Sequence, residues 1–421
     1  MPPGGPGRAF VASTVGGRWQ DWPSQTADEP ASPRRIGHRL RRDAPGRPRG
    51  RSGAAGGARA SLVNTALRIE LPAPASGRIS VLDELKGVAI LLIILYHAGG
   101  VLVWRDTLHL EVGVDMFVIL SGIGLTLSST KEGSWRFLLR RFWRIYPGYW
   151  IILTSFLLAD AHFLGLQFGT KDIVLHYLGV HAFFGDAYMM TINDSFWFIS
   201  LIVGLYAVFA LIRRFVGRPD LIVFFGAVAS IVPTLAYFYA GQSNAFSHLA
   251  LRIPGFFLGL LIGQLLRTGR LEVRLSWALG AALGLVLYVP YVNGLIFASF
   301  WVGLSVMALY ALLLRPVFTA SERAILRFLG ERSLEIFLIH QPLIRAYNIL
   351  AQEHMFPGRP MTPWSIATGM AVALAVTVLI SHVLHSLLGR LPAPGRGRPP
   401  AGPGQGAAKG APGRPAPTGT A

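Results

Sequence analysis

With 421 residues, 52% of them hydrophobic and only 14% charged, and a mean hydropathy of +0.47, the chain has too little polar surface for a soluble domain and reads as an all-α polytopic membrane protein. Cysteine is absent, which excludes disulfides, thiolate metal sites and cysteine nucleophiles. The net charge of +18 is concentrated at the ends: residues 1–78 hold 13 arginines against 5 acids and residues 389–421 hold 5 basic residues and no acid, so the tails supply 13 of the 18.

In chain order, residues 1–78 form a Gly/Pro/Arg-rich tail without apolar periodicity, expected to be disordered because it cannot bury enough surface to offset its ordering entropy. The Pro/Gly-rich tail 389–421 reads the same way. Their basicity suits anionic lipid headgroups on the cytoplasmic side; for the N-terminal tail an overlong reading frame accounts for it equally well. Nucleic acid is not an expected partner, since no folded basic module or interleaved aromatics accompany the arginines. No signal peptide is visible, the first long apolar run starting after residue 86.

Between the tails, residues 79–388 form the membrane domain. Ten stretches approach the roughly 20 apolar residues that a crossing needs, near 86–104, 113–129, 148–166, 195–213, 221–240, 251–267, 275–292, 295–314, 333–351 and 364–386. Alternate loops hold 15 basic residues, including Arg141, Arg144, Arg213, Arg267, Arg315 and Arg327, whereas the intervening loops hold only Arg105, Lys171, Arg252 and Arg359. The positive-inside rule therefore puts both termini in the cytoplasm, in a multi-pass protein of the inner membrane. No internal repeat of the kind found in inverted-topology transporters is apparent.

The first of these helices carries the chemistry. In "LDELKGVAILLIILYHAGG", residues 82–100, His97 follows Lys86 by eleven residues. That separation turns about 20° beyond three full turns and rises roughly 16 Å, so both lie on one face. Lys86 sits at the cytoplasmic edge and His97 deep in the apolar layer, where an ionisable group marks a functional site. The second helix opens "EVGVDMFVILSG". There Asp115 could orient a histidine or substrate hydroxyl, or simply complement the helix dipole. Ser121, level with His97, could bond the imidazole or serve close helix packing. In "WRFLLRRFWRIYPGYW", Arg141 and Arg144 stand three apart on one face, at the level of Lys86. Topology alone asks for basic residues there; three converging cations would also receive phosphates.

The segments "LDELKGVAILLIILYH", "GVDMFVILSG" and "RRFWRIYP", in this order and spacing, resemble the acyltransferase-3 family of integral membrane acyltransferases, and "FWFISLIVGLY", "LRIPGFFLGLLIG" and "LGERSLEIFLIHQPL" fit as well. The similarity covers roughly residues 78–388. It implies acyl transfer, usually of acetyl, to surface polysaccharides, lipids or small molecules. It also implies a required histidine at His97 preceded by a basic residue at Lys86, paired arginines at Arg141 and Arg144, and the Gly-x-Asp and Ser-Gly elements at Gly113, Asp115, Ser121 and Gly122. Two positions depart from the pattern: lysine stands at 86 where arginine is usual, keeping charge but losing the planar fork, and Ile202 stands where many relatives have a glutamate.

The residues and the resemblance agree on a scheme. Acyl-CoA, most simply acetyl-CoA, docks its phosphates on Lys86, Arg141 and Arg144, and neutral His97 acts as general base on an acceptor hydroxyl, directly or through an acyl-imidazole. The acceptor is a glycan, lipid or small molecule. His340, seven residues into the ninth span, and Trp197, at the head of the fourth, are candidate substrate-facing residues; interhelical bonding and interface anchoring are their alternatives. His162, His176, His181, His248 and His354 lack metal-ligand spacing, and no metal is expected. A transporter or flippase of a lipid-linked glycan, with His97 as proton relay, is the rival reading.

Overall fold

Ser80 opens the first helix, and the Asp83 carboxylate in its first turn complements the helix dipole. The computed structural model describes residues 79–101, 110–128, 133–240, 249–269, 299–350 and 362–390. Among these the secondary structure is helical, with no strand: α1 (Ser80–Val101), α2 (Val112–Leu127), α3 (Ser134–Leu164), α4 (Thr170–Tyr177), α5 (Trp197–Ile212), α6 (Pro219–Ala240), α7 (Ile253–Arg267), α8 (Ser299–Leu309), α9 (Ala320–Glu331), α10 (Ser333–Leu350) and α11 (Pro363–Gly389). Both tails, the seventh expected span at 275–292, His248 and His354 lie outside the described residues.

Local sequence explains the boundaries. Helix α3 runs 31 residues through Pro147 and stops at Gly165, whose φ of 63° is the left-handed turn that glycine adopts without a Cβ penalty. Helix α9 opens with a capping box: the Thr319 side chain accepts from the Glu322 amide, and the Glu322 carboxylate accepts from the Thr319 amide. Thr362 caps α11 with Pro363 in its first turn. Helix α8 passes into a π-turn at Tyr310–Leu314, an irregularity that re-aims the side chains following it.

Two helical segments are long and apolar enough to cross a membrane, Trp197–Phe215 and Ala367–Gly389, and shorter apolar helices occur at Val112–Leu127, Pro219–Ile231, Ile253–Arg267 and Trp301–Leu314. Along α11, Val372, Val376, Leu379, Val383 and Leu387 form an exposed apolar stripe, as lipid contact requires. Of the ten crossings expected from sequence, the described residues thus show a helical architecture with two clear spans.

Small residues set the helix contacts, as in other bilayer proteins. Gly122 of α2 meets the Phe256 backbone of α7, and Gly259 and Gly263 of α7 meet Ile119 and Ile123 of α2. The Thr126 hydroxyl then donates to the Leu260 carbonyl at 3.3 Å across the same seam. Helix α1 packs against α2, α9 and α10. Gly87 lies on the Leu326 backbone and Gly330 on that of Asp83, so α9 crosses α1 at its Lys86 end. Helix α10 also packs on α11 and α3, and α3 on α5. Segment 315–332, expected as a basic loop, is instead largely this amphipathic helix α9.

Candidate active site

His97 and His340 meet inside the bundle. Their rings, from α1 and α10, lie 5.0 Å apart between centroids and tilted by 54°. His340 is fully buried, and its Nδ1 lies 2.7 Å from the Phe337 carbonyl, which can only accept, so Nδ1 carries the proton and Nε2 keeps its lone pair. That Nε2 has no hydrogen-bond partner among the described residues. A small, mainly apolar cavity opens beside the pair, lined by Ile94, His340, Ile344, Met370 and Thr377. The His340 imidazole therefore borders a space between α1, α10 and α11, with the His97 ring 5.0 Å away.

The start of α2 holds a second polar group. Asp115 is buried and its carboxylate accepts from the Arg252 guanidinium at the head of α7, which also lies 3.9 Å from Glu111 and sits over the Trp197 ring at 5.8 Å. A buried charge requires such pairing. Asp115 is therefore engaged with Arg252. Trp197 is 7% exposed and packed beneath Arg252. Ser121 is half-buried on α2, and among the described residues it makes no hydrogen bond to His97.

At the opposite end of α1, Lys86 bonds Asp83 at 3.0 Å, one turn back. Arg141 is half-buried between the Phe137 and Tyr206 rings and donates to the Ser128 hydroxyl at 3.1 Å, while Arg144 is exposed. Helix α3, which carries both, packs chiefly on α5, α10 and α11. The three expected phosphate ligands thus stand on two helices that do not form a principal contact.

Two polar groups escaped the sequence reading. One is Arg252; its signal was there, a rare arginine in the cation-poor set of loops directly before a Gly-rich span. The other is Glu84, fully buried, whose carboxylate accepts from Arg315 Nε at 2.7 Å, Arg327 at 2.9 Å and the Tyr310 hydroxyl at 3.1 Å. An acid adjoining Lys86 in the same motif was visible, but its partners come from more than 220 residues away.

Outside the bundle's apolar segments, His176 and His181 stack face to face, 3.8 Å between centroids and 10° from parallel. His176 Nδ1 donates to the Asp172 carbonyl, and His181 Nδ1 lies 3.4 Å from the Ser200 hydroxyl of α5. Burial pushes both imidazoles below their ordinary range, His181 to about 3 with the neighbouring His176 adding to the effect. Among the described residues no group of three or more His, Asp or Glu side chains has the geometry of a metal site.

Comparison with known proteins identifies the family. The profile of a family described as "Acyltransferase domain" matches residues 79–382. The "Putative membrane-bound transacylase BcsY" of Komagataeibacter xylinus is 27% identical over 205 residues, covering 44% of this chain and 51% of that protein; the chain thus spans about half the length of this curated relative. No solved structure matches. With the family match covering most of its length, the chain belongs to the acyltransferase-3 family of membrane acyltransferases.

Proposed function

We propose that the protein transfers an acyl group, most simply acetyl, from cytoplasmic acyl-CoA to a hydroxyl of a glycan, glycolipid or similar acceptor, within a bundle of about ten crossings whose termini are both cytoplasmic. The observation that carries the reading is the meeting of His97 and His340, with Lys86 eleven residues earlier on the helix that bears His97. His97 takes the proton from the acceptor hydroxyl; the oxygen attacks the thioester carbonyl; the carbon–sulfur bond breaks and the departing thiolate recovers the proton. His340, held by Phe337 in one tautomer, presents a fixed acceptor nitrogen beside the base or the incoming hydroxyl.

Lys86, with the basic residues of its membrane face, is the proposed donor end, and Trp197 with the Arg252–Asp115 pair borders the proposed acceptor end. The test is purified protein in vesicles with radiolabelled acetyl-CoA and a glycan acceptor. Thioester loss and label transfer are expected in wild type and a drop of at least 100-fold in His97→Ala, the scale of a lost general base. Glycan movement across the bilayer with no thioester consumed would overturn the reading in favour of transport.

A further inference from the structure

Glu84 is an expensive residue with no part in the scheme above. A carboxylate with no solvent exposure is tolerable only when cations surround it. Here Arg315 and Arg327 do so, each through one nitrogen, and Tyr310 adds a third bond. The two guanidinium side chains are themselves 34% and 37% exposed. Glu84 therefore fixes one edge of each arginine and leaves the remainder of each five-donor fork toward solvent. Arg323, half-buried on the same helix, donates to the Arg315 carbonyl at 3.2 Å and brings a third cation to the cluster.

The acids nearby are turned to local tasks: Glu322 folds back on Thr319 in the capping box, Asp83 bonds Lys86, and Glu331 pairs with Arg332. Three arginines thus stand against one buried carboxylate. Tyr310 and Arg315 flank the π-turn at Tyr310–Leu314 and both reach Glu84, and the glycine contacts of α9 with α1 set the cluster at the Lys86 end of the helix that leads to His97. Preset guanidinium groups are suited to phosphate, since their orientation has been fixed before the ligand arrives.

We propose that Arg315, Arg323 and Arg327 form a phosphate-binding cradle, oriented by Glu84 as a positioning residue, which takes the phosphate end of the acyl donor at the mouth of α1. The assignment rests on the acyl-CoA reading above for the identity of its ligand, and the chemistry it recognises, a phosphate ester, occurs in lipid headgroups too.

The experiment separates these sources. The full chain is placed in nanodiscs of phosphatidylcholine alone or with phosphatidylglycerol, and the binding of CoA, dephospho-CoA and pantetheine is measured by calorimetry for wild type, Arg323→Gln, Arg327→Gln and Glu84→Gln. In phosphatidylcholine, each arginine variant is expected to bind CoA about tenfold more weakly, with a shallower salt dependence, and to lose little for pantetheine. Glu84→Gln should weaken CoA binding in the same direction and raise the donor KM more than it lowers kcat, a split that general misfolding would not give. Arg323→Gln, which leaves the Glu84 contacts in place, keeps the test valid if Glu84→Gln unfolds. Wild-type affinity for CoA in Arg323→Gln and Arg327→Gln overturns the donor cradle. If phosphatidylglycerol competes with CoA only in wild type, the lipid shares the site. If wild type binds no CoA at all, the acyl-CoA reading falls by itself, and the cradle is upheld or refuted by whether phosphatidylglycerol retention is lost in the arginine variants.

Discussion

Arg252 and Asp115 show how one side chain can govern another's meaning. Asp115 alone, three residues into α2, fits either a helix-dipole role or a base-orienting one; with a fully buried arginine upon it, the pair must be kept or removed together. Breaking such a pair from one side strands a charge and costs about 3–5 kcal/mol, whereas removing both members costs far less. Arg252→Gln and Asp115→Asn are each expected to lower the thermal midpoint in detergent substantially, and the double variant to recover a clear part of that loss. Additive losses in the double variant would show that the two side chains act independently. The stacked histidines obey a different logic. His181 stays neutral in the fold, to about pH 3, while in the unfolded chain it protonates near its ordinary value of about 6.5. The unfolded state then binds the extra proton as pH falls below about 6.5, so stability present at neutral pH is lost progressively down to the folded value. At pH 5 that loss is about 2 kcal/mol from His181. Midpoints at pH 7 and pH 5 should differ in wild type and differ less in His181→Phe, which keeps an aromatic stack but cannot titrate.

At the scale of elements, what could be read from sequence was what repeats locally. The Lys86–His97 spacing, the run of apolar residues through α1 and the arginine pair on α3 are all within one helix, and each is found where its periodicity puts it. Helix α9 escaped because twelve residues with two arginines and little apolar length look the same as a topological loop; only its packing under α1, which Gly330 and Gly87 allow, gives it a role. The meeting of His97 with His340 also could not be read from spacing, since it depends on how α10 lies across α1 some 240 residues away. Glycines were legible as small and not as contacts, and α2 provides an internal control for that distinction. A Cβ on Gly122 would lie 2.5 Å from the Phe256 carbonyl oxygen of α7, whereas one on Gly124, two residues along the same helix, meets nothing within 4 Å. Gly122→Ala must push the seam apart and is expected to cost about 1–3 kcal/mol; Gly124→Ala should be neutral or stabilising by up to about 1 kcal/mol, the helix-propensity difference. Equal behaviour of the two alanines in detergent unfolding would refute the α2–α7 contact.

The molecule as a whole is arranged along α1: the arginine–Glu84 cluster at one end, the histidine pair deep within, and the Arg252–Asp115 pair near the far end. This polarity has a function only if the two ends face different compartments, and the charge distribution says which. By the positive-inside rule, fifteen basic residues on one set of connections against four on the other predict that the Glu84 end faces the cytoplasm. Because the chain has no cysteine, the assignment can be tested without first removing native thiols. Single cysteines at Ser321, exposed on α9, and at Ala187, exposed in the segment after the stacked histidines, sit on opposite sides of the predicted orientation. In intact cells a membrane-impermeant maleimide is expected to label Ala187→Cys at once and Ser321→Cys only after permeabilisation. The reverse pattern would turn the protein over, placing the arginine cluster outside, where no cytoplasmic acyl-CoA could reach it; labelling of both in intact cells would mean that the loops do not alternate as their charges require.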